Sequence, residues 1–321
     1  MTGARRWLIA LAVGFAVGGL LLTRLPATYV ELDLAGRRLG FDWLPQTRPE
    51  HEAKPGAMAG TVVDGHWRVQ QVAPGTFALG EPADAPDNYE YLLVGQSRAL
   101  LIDAGATVRD IRPVVSLLTA LPVLVVPTHL HYDHTNGLAN FSGIGLIDLP
   151  ATRARVHDGT VHLSRHDVIG AAADVRVTEW LPANGFIDLG GRRVQLLSTP
   201  GHTRTSVSFY DPTLRLLFAG DFLYPGSLYA FMVDSSLADY EATSARLLGQ
   251  LPADTRIYAA HCCRNDAVAG APWLGMNDLA DVHRAVESIR AGHAAASGLL
   301  LKRFPVNARM DFLTFYPLDN R

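Results

Sequence analysis

The window Thr128, His129, Leu130, His131, Tyr132, Asp133, His134 puts three histidines and one aspartate into seven residues, directly after the apolar run of residues 121–126. An apolar run this short, rich in valine and leucine, reads as a buried strand. The chain must therefore fold so that four polar side chains, all capable of binding metal, sit at the end of a core strand. A loop whose imidazoles cap backbone groups is one way to do this. A metal site is the other, and the spacing favours it. His129 and His131 are i and i+2, so in an extended segment they point to one side and their nitrogens can converge on one ion. If the chain turns into a helix near Asp133, that carboxylate and His134 aim at a second point close by. The window thus reads as parts of two metal sites.

Two sites need more ligands than four, and the rest of the chain supplies candidates. Strand-like runs at 66–72, 77–79, 89–94 and 99–102 are followed by a helical pattern at 108–120 and the strand 123–126. Further strands at 193–197, 214–218 and 256–259 run into the segments containing His202, Asp221 and His261, and helical patterns follow at 237–251 and 278–291. Strand, helix, strand is an α/β rhythm, in which chemistry sits at the carboxyl ends of strands. Each downstream candidate follows a strand, so all can reach a common pocket. No repeat of 20 to 50 residues is present, which excludes a solenoid.

With IDAG around Asp103, THLHYDH, TPGHT around His202, the Gly220-Asp221 pair and the late His261 in place, the chain resembles the metallo-β-lactamase fold superfamily of binuclear metallohydrolases, from about residue 66 to 291. The resemblance implies a four-layer αββα sandwich. It also implies that His129, His131 and His202 hold one ion, that Asp133, His134 and His261 hold the other, and that Asp221 bridges them. Asp103 and Thr128 would orient the ligands, although a strand-end aspartate equally suits a turn cap. Two divalent ions sharing a water lower its pKa from 15.7 toward about 7 and polarise a carbonyl or phosphoryl oxygen. Zinc fits imidazole and carboxylate ligands without redox side reactions, with iron or manganese as open alternatives.

Within the superfamily, Asp221 argues against a true zinc β-lactamase, which carries cysteine or serine there, and for the branches that include glyoxalase II, acyl-homoserine lactonases, phosphodiesterases and acyl-CoA hydrolases. Tyr224 lies three residues on, at the offset where the lactonases carry a tyrosine that assists at the substrate carbonyl. A phenol there can hydrogen-bond a developing oxyanion, or it can simply pack on the core. Leu228, Tyr229, Phe231 and Met232 equally suit an acyl pocket or ordinary core. The resemblance therefore implies a dinuclear, zinc-dependent hydrolase of an acyl thioester, lactone or related ester, with Asp133, Asp221 and Tyr224 as candidate catalytic side chains. A mononuclear iron enzyme like the persulfide dioxygenases of this fold is the alternative from another reaction class, and β-lactamase or phosphodiesterase activity the minor one.

Composition bounds what remains. A formal net charge of -3 over 321 residues gives no cationic field for nucleic acid, so a small-molecule acyl substrate is the expected partner. Residues 1–25 hold Arg5 and Arg6 before the uncharged stretch 7–22, which at about 1.5 Å per residue spans roughly 24 Å. That suits a signal peptide or a short signal anchor, so the catalytic domain is expected outside the cytoplasm: membrane-anchored, or secreted or periplasmic if the segment is cleaved. Residues 26–60 read as a short hairpin and linker, and 61–321 as the main domain. Cys262 and Cys263 are adjacent, so a disulfide between them is not expected. His157, His162 and His166 lack a strand-end context and read as surface loop. Nothing in the sequence sets an oligomeric state.

Overall fold

The computed structural model describes residues 60–81, 87–107, 109–163, 173–262, 270–299 and 301–317. The apolar stretch 7–22 and the hairpin expected over 29–43 lie outside them. Among the described residues no helix is long and apolar enough to cross a membrane.

Two sheets face each other. The N-terminal one runs Thr61–Val63, Trp67–Ala73, Thr76–Glu81, Asp87–Val94, Ala99–Ile102 and Val123–Val126 in spatial order, with His261–Cys262 added to Asp87–Val94. The C-terminal sheet runs Phe186–Asp188, Arg193–Ser198, Val207–Asp211, Leu216–Phe218, Arg256–Tyr258 and Trp273–Leu274. The strand Ala99–Ile102 is buried along its whole length, and alternation explains why. Leu100 and Ile102 point between the sheets, where they join Tyr89, Tyr91 and Val126 against Val194, Leu196, Phe209, Phe218 and Tyr258. Leu101 points outward with Leu79, Leu92 and Val125.

Both outer faces are covered. The helices Leu237–Gln250 and Met276–Arg290 lay Leu247, Leu279, Val282 and Val286 over Leu197, Leu217 and Ile257 of the C-terminal sheet. On the other side the helix Arg112–Leu118 contributes Val114 and Val115 to a core shared with Ile144, Leu146, Val161 and Val175 of a four-stranded sheet. The arrangement is a mixed α/β sandwich in which helices flank paired sheets, and each fully buried leucine or isoleucine contributes about 1.5–3 kcal/mol. A fourth sheet, of the three strands Gly226–Tyr229, Met310–Thr314 and Lys302–Pro305, adds Leu228, Phe304, Met310 and Phe312 to the core under the two long helices.

Some elements differ from the sequence reading. The helix expected over 108–120 is shorter, because Pro113 suits only its first turn and Thr119 is already extended. The segment holding His157 and His162 is a hairpin, Val156–His157 with Thr160–Leu163, turned by Asp158 and Gly159 at positive φ. His162 is exposed and bonds Asp174 at 2.7 Å, while His166 lies outside the described residues. Cys262 is disulfide-bonded, where no disulfide was expected; Cys263, the chain's other cysteine, lies outside the described residues.

Arg192 ties the two sheets together at the end of Asp87–Val94 remote from His261. Its guanidinium donates to Asp211 at 2.8 Å, to the carbonyl of Gly75 at 2.7 Å and to the Thr76 hydroxyl at 2.7 Å. Removing one partner of a buried ion pair strands the other charge, here Asp211, at a cost of about 3–5 kcal/mol. Arg192→Met is therefore expected to lower the thermal midpoint by roughly 6–15 °C for a domain of this size, with metal content per folded chain unchanged. Parallel melting and metal analysis check both halves; loss of metal at wild-type stability would show that the contact serves the site instead.

Candidate metal centre

The strand Val123–Val126 delivers the histidine window to the upper edge of the sheet pair. His129 and His131 lie in the loop that follows, and Asp133 and His134 on the single helical turn Tyr132–Thr135. His202 follows Arg193–Ser198, Asp221 sits on the short turn Gly220–Phe222 after Leu216–Phe218, and His261 opens the strand that pairs with Asn88. All seven sequence candidates therefore converge. They form two groups, His129 with His131 and His202, and Asp133 with His134, Asp221 and His261, and within each group the ligand atoms lie within 4.8 Å of one another.

Close approach of the strand ends needs a glycine. Gly220 has a φ of +53°, and a Cβ on it would stand 2.8 Å from the Cβ of Thr128. Any other residue would push apart the segments carrying the histidine window and Asp221. The His202 loop is fixed from the helical side. Ser236 caps Leu237–Gln250 by accepting from the Asp239 amide, its own amide donates to Gly201, and Thr243 donates to the Pro200 carbonyl at 2.8 Å.

Hydrogen bonds on the far side of each ring set which nitrogen faces inward. His202 Nδ1 donates to the Tyr229 carbonyl at 2.9 Å, which leaves Nε2 turned toward His131 Nδ1 at 3.0 Å. His129 Nε2 lies 2.9 Å from the same His131 nitrogen. Burial and neighbouring imidazoles keep these rings neutral, with His131 pushed down to about 3 and His129 and His202 also lowered. A neutral His202 already protonated at Nδ1 presents a bare lone pair at Nε2, and His131 has one proton at most to share between two neighbours. Three lone pairs aimed at one point suit a cation better than a hydrogen-bond chain. Nitrogens on a tetrahedral zinc at about 2.0–2.1 Å stand roughly 3.3 Å apart, close to the spacings seen.

The second group is richer in charge. Asp103 accepts from the Thr128 amide at 2.6 Å, from the Thr128 hydroxyl at 3.0 Å and from His134 Nδ1 at 2.8 Å. It holds a left-handed φ of 64°, which aspartate tolerates. His134 Nε2 is left facing Asp221 at 3.3 Å and Asp133 at 3.7 Å, buried and without a hydrogen-bond partner. His261 Nε2 lies 3.1 Å from the same Asp221 oxygen. Burial alone would push both histidines down, but the surrounding carboxylates outweigh it, holding His261 up to about 10 and His134 well above its ordinary value. Burial would likewise raise Asp133 and Asp221, yet the histidines hold both carboxyls down.

Asp221 lies between the groups. One carboxylate oxygen faces His134 and His261, and the other lies 3.5 Å from His202. Tyr224 is beside them, its ring edge-on to His261 at 5.4 Å, but its hydroxyl donates to the Ser227 carbonyl. Burial, and then Asp221, raise its pKa, so the phenol stays protonated.

Sequence reasoning missed a polar layer beneath the groups. Glu81, Asn88 and Glu90 are each fully buried on the outward face of the N-terminal sheet. Glu81 accepts from the Ala106 amide at 2.7 Å and the Thr107 hydroxyl at 2.9 Å, fixing the loop after Asp103. Asn88 and Glu90 alternate with Tyr89 and Tyr91, a pattern that by itself reads as a solvated strand face. The signal available was that they share a face with Leu92, in a strand whose neighbour Ala99–Ile102 is apolar on both faces.

Comparison with known proteins agrees with this geometry. Residues 89–261, more than half of the chain, match the family described as the metallo-beta-lactamase superfamily. Acyl-coenzyme A thioesterase MBLAC2 of Gallus gallus is 28% identical over 181 residues, which cover 49% of this chain and 65% of that one. Hydroxyacylglutathione hydrolase of Synechococcus sp. (strain JA-3-3Ab) is 30% identical over 188 residues, covering 54% and 64%. The chain thus spans a little under two thirds of either relative. Among solved structures, a metallo beta lactamase from Erythrobacter litoralis aligns with a TM-score of 0.54 at 18% identity, covering 71% of this chain and 99% of that one. Likeness at that identity is one of fold. The ligand-bearing strand ends, the paired sheets and the family match converge on one statement: the chain belongs to the metallo-beta-lactamase superfamily.

Proposed function

We propose that the protein is a hydrolase with a dinuclear, zinc-type centre that cleaves acyl thioesters. The observation that carries the reading is the placement of Asp221, with one carboxylate oxygen toward each ligand group. A single metal ion would leave most of one ligand group unused. Two bound divalent ions would supply a water that ionises near neutral pH and an electrophile for a carbonyl oxygen.

This chain's own residues do the rest. His129, His131 and His202 present neutral nitrogens, so the first group needs no proton exchange to accept a cation. Asp103 and the Tyr229 carbonyl hold His134 and His202 in the tautomers that face inward. Asp133 and Asp221 remain ionised, and Asp221 can orient a water lying between the groups. The thioester part of the proposal has two supports. Both relatives named above are, by name, hydrolases of acyl thioesters. An apolar satellite of Phe231, Leu313 and Phe315, with Tyr229, Met232 and Leu301 packed on it, also begins at the residue whose carbonyl orients His202. That placement suits an acyl chain beside the reacting carbonyl.

Two outcomes are expected. In zinc-reconstituted protein, a panel of acyl-CoA, glutathione thioester, lactone, β-lactam and phosphodiester substrates should show the highest kcat/KM on a thioester. Asp221→Ala should lose about 4 kcal/mol of transition-state stabilisation, roughly a thousandfold. No thioester turnover with two zincs bound, or one iron per chain with oxygen uptake, would overturn the reading.

Proton release gives an independent check. His134 and His261 carry protons at neutral pH in the metal-free protein, and a cation in their group must displace them. Raising the pH therefore tightens zinc in that group, by up to about tenfold per unit for each proton displaced, until the pH passes the folded values. Zinc in the neutral-histidine group should change little above about pH 7, because His131 has already lost its proton. Calorimetry in buffers of different protonation enthalpy reads both.

Tyr224 has a lesser part. Because its hydroxyl is committed to Ser227, Tyr224→Phe is expected to leave kcat nearly unchanged and to cost about 1 kcal/mol in stability. A hundredfold fall in kcat would give the hydroxyl an oxyanion role instead.

A further inference from the structure

We propose that Asn88, seated on Glu90, is a positioning residue that holds the second ligand group in register. The inference rests on the two-group reading of the centre. The Asn88 amide nitrogen has two hydrogens and two acceptors. It donates to the main-chain carbonyl of Asp133 at 2.7 Å and to Glu90 Oε1 at 2.8 Å. A carbonyl can only accept, so the amide has one workable orientation, with its NH2 toward Asp133. All of this lies out of water: Asn88 and Glu90 are both 0% exposed.

The topology makes that single amide reach most of one group and none of the other. Asp133 and His134 sit on the turn whose carbonyl Asn88 binds. His261 is the residue paired with Asn88 across the ladder, and the Tyr89 amide donates to the Ala260 carbonyl at 2.8 Å. Ala260 in turn donates to the carbonyl of Gly220, next to Asp221. Residue 88 is thus where the turn carrying two ligands and the strand carrying a third meet. His129 and His131 precede that turn, and His202 comes from the opposite sheet. They hang on Thr128, Tyr229 and Ser235 instead.

Glu90 supplies the seat. Its Oε1 holds the amide while Oε2 has no hydrogen-bond partner, an arrangement tolerable for a neutral carboxyl and costly for a carboxylate. Burial, and then Glu81 and Asp103, push its pKa well above the ordinary value, in keeping with the neutral form. A glutamine side chain offers the same acceptor oxygen in the same place, so charge is not what position 90 provides.

Stepwise zinc titration of the full chain against a chromophoric chelator tests this, together with melting of the metal-free protein. Wild type should bind two zincs in two steps. Asn88→Ala should weaken one step by about 10–100-fold, the range for losing a partner behind a metal ligand, and leave the other within about threefold. Glu90→Ala should weaken the same step, while Glu90→Gln restores it; this pair decides the matter if Asn88→Ala does not fold. Arg192→Met, which lowers stability far from the site, should move neither step. Two unchanged steps in Asn88→Ala and Glu90→Ala, or both steps falling together with the melting midpoint, would overturn the positioning role. A single zinc step in wild type would instead overturn the dinuclear reading on which it rests.

Discussion

Taking ionised groups out of water is the cost around which this molecule is arranged. Four histidines and an aspartate of the seven candidate ligands are at most 6% exposed, and Asp103 lies behind them at 1%. Isolated, each buried charge would cost several kcal/mol. Together they are tolerable, because the second group sets protonated imidazoles against carboxylates and the first keeps its imidazoles neutral. A cation would satisfy the same geometry without protons, and the lone pairs of the first group already converge. The sandwich beneath is what forces the groups together: two sheets whose strands end at one edge, backed by apolar cores on both faces of each sheet.

Rigidity at that edge comes from few contacts, each between segments distant in sequence. Asp103 joins the end of Ala99–Ile102 to Thr128 and His134. The Tyr229 carbonyl, at the end of Gly226–Tyr229, and the Ser235 hydroxyl beyond it both bond His202. Gly220 lets the two strand ends meet at a separation no side chain would allow. Because each contact fixes a backbone segment and not just a side chain, the ligands inherit their positions from the sheets, the most rigid elements present.

Much of this was legible in the sequence, and the parts that were not share a cause. The histidine window, His202, Asp221 and His261 could be read because each announces itself by residue type at the end of an apolar run. The long helices Leu237–Gln250 and Met276–Arg290 were visible for the same reason, since one apolar stripe repeats over several turns. Asn88 and Glu90 were not visible, because polar residues alternating with tyrosines describe a solvated strand equally well, and only the loops folded over them bury that face. The hairpin at His157 was read as loop because its strands are two and four residues long, too short for periodicity to register. The placement of Gly226–Tyr229 beside Met310–Thr314 was not legible because the two lie about eighty residues apart, and pairing at that distance leaves no local pattern.

The two ligand groups are not electrostatic equals, and that asymmetry gives an order to their filling. In the first, three neutral imidazoles carry no charge to neutralise and no proton to lose. In the second, Asp133, Asp221 and Asp103 surround two imidazoles that stay protonated because of those carboxylates. A divalent ion held by the first group would lie close to Asp221 and offset part of its charge. Its positive charge would also weaken the hold of His134 and His261 on their protons. One effect would lower the attraction for a second cation, and the other would clear the nitrogens that it needs. Asp221 is the side chain through which both would act, since one of its oxygens faces His134 and the other lies toward His202. A residue with one ligand atom in this position, such as cysteine or serine, could serve one group but could not transmit occupancy to the other in the same way. A two-oxygen side chain at residue 221 therefore sets one carboxylate against both groups.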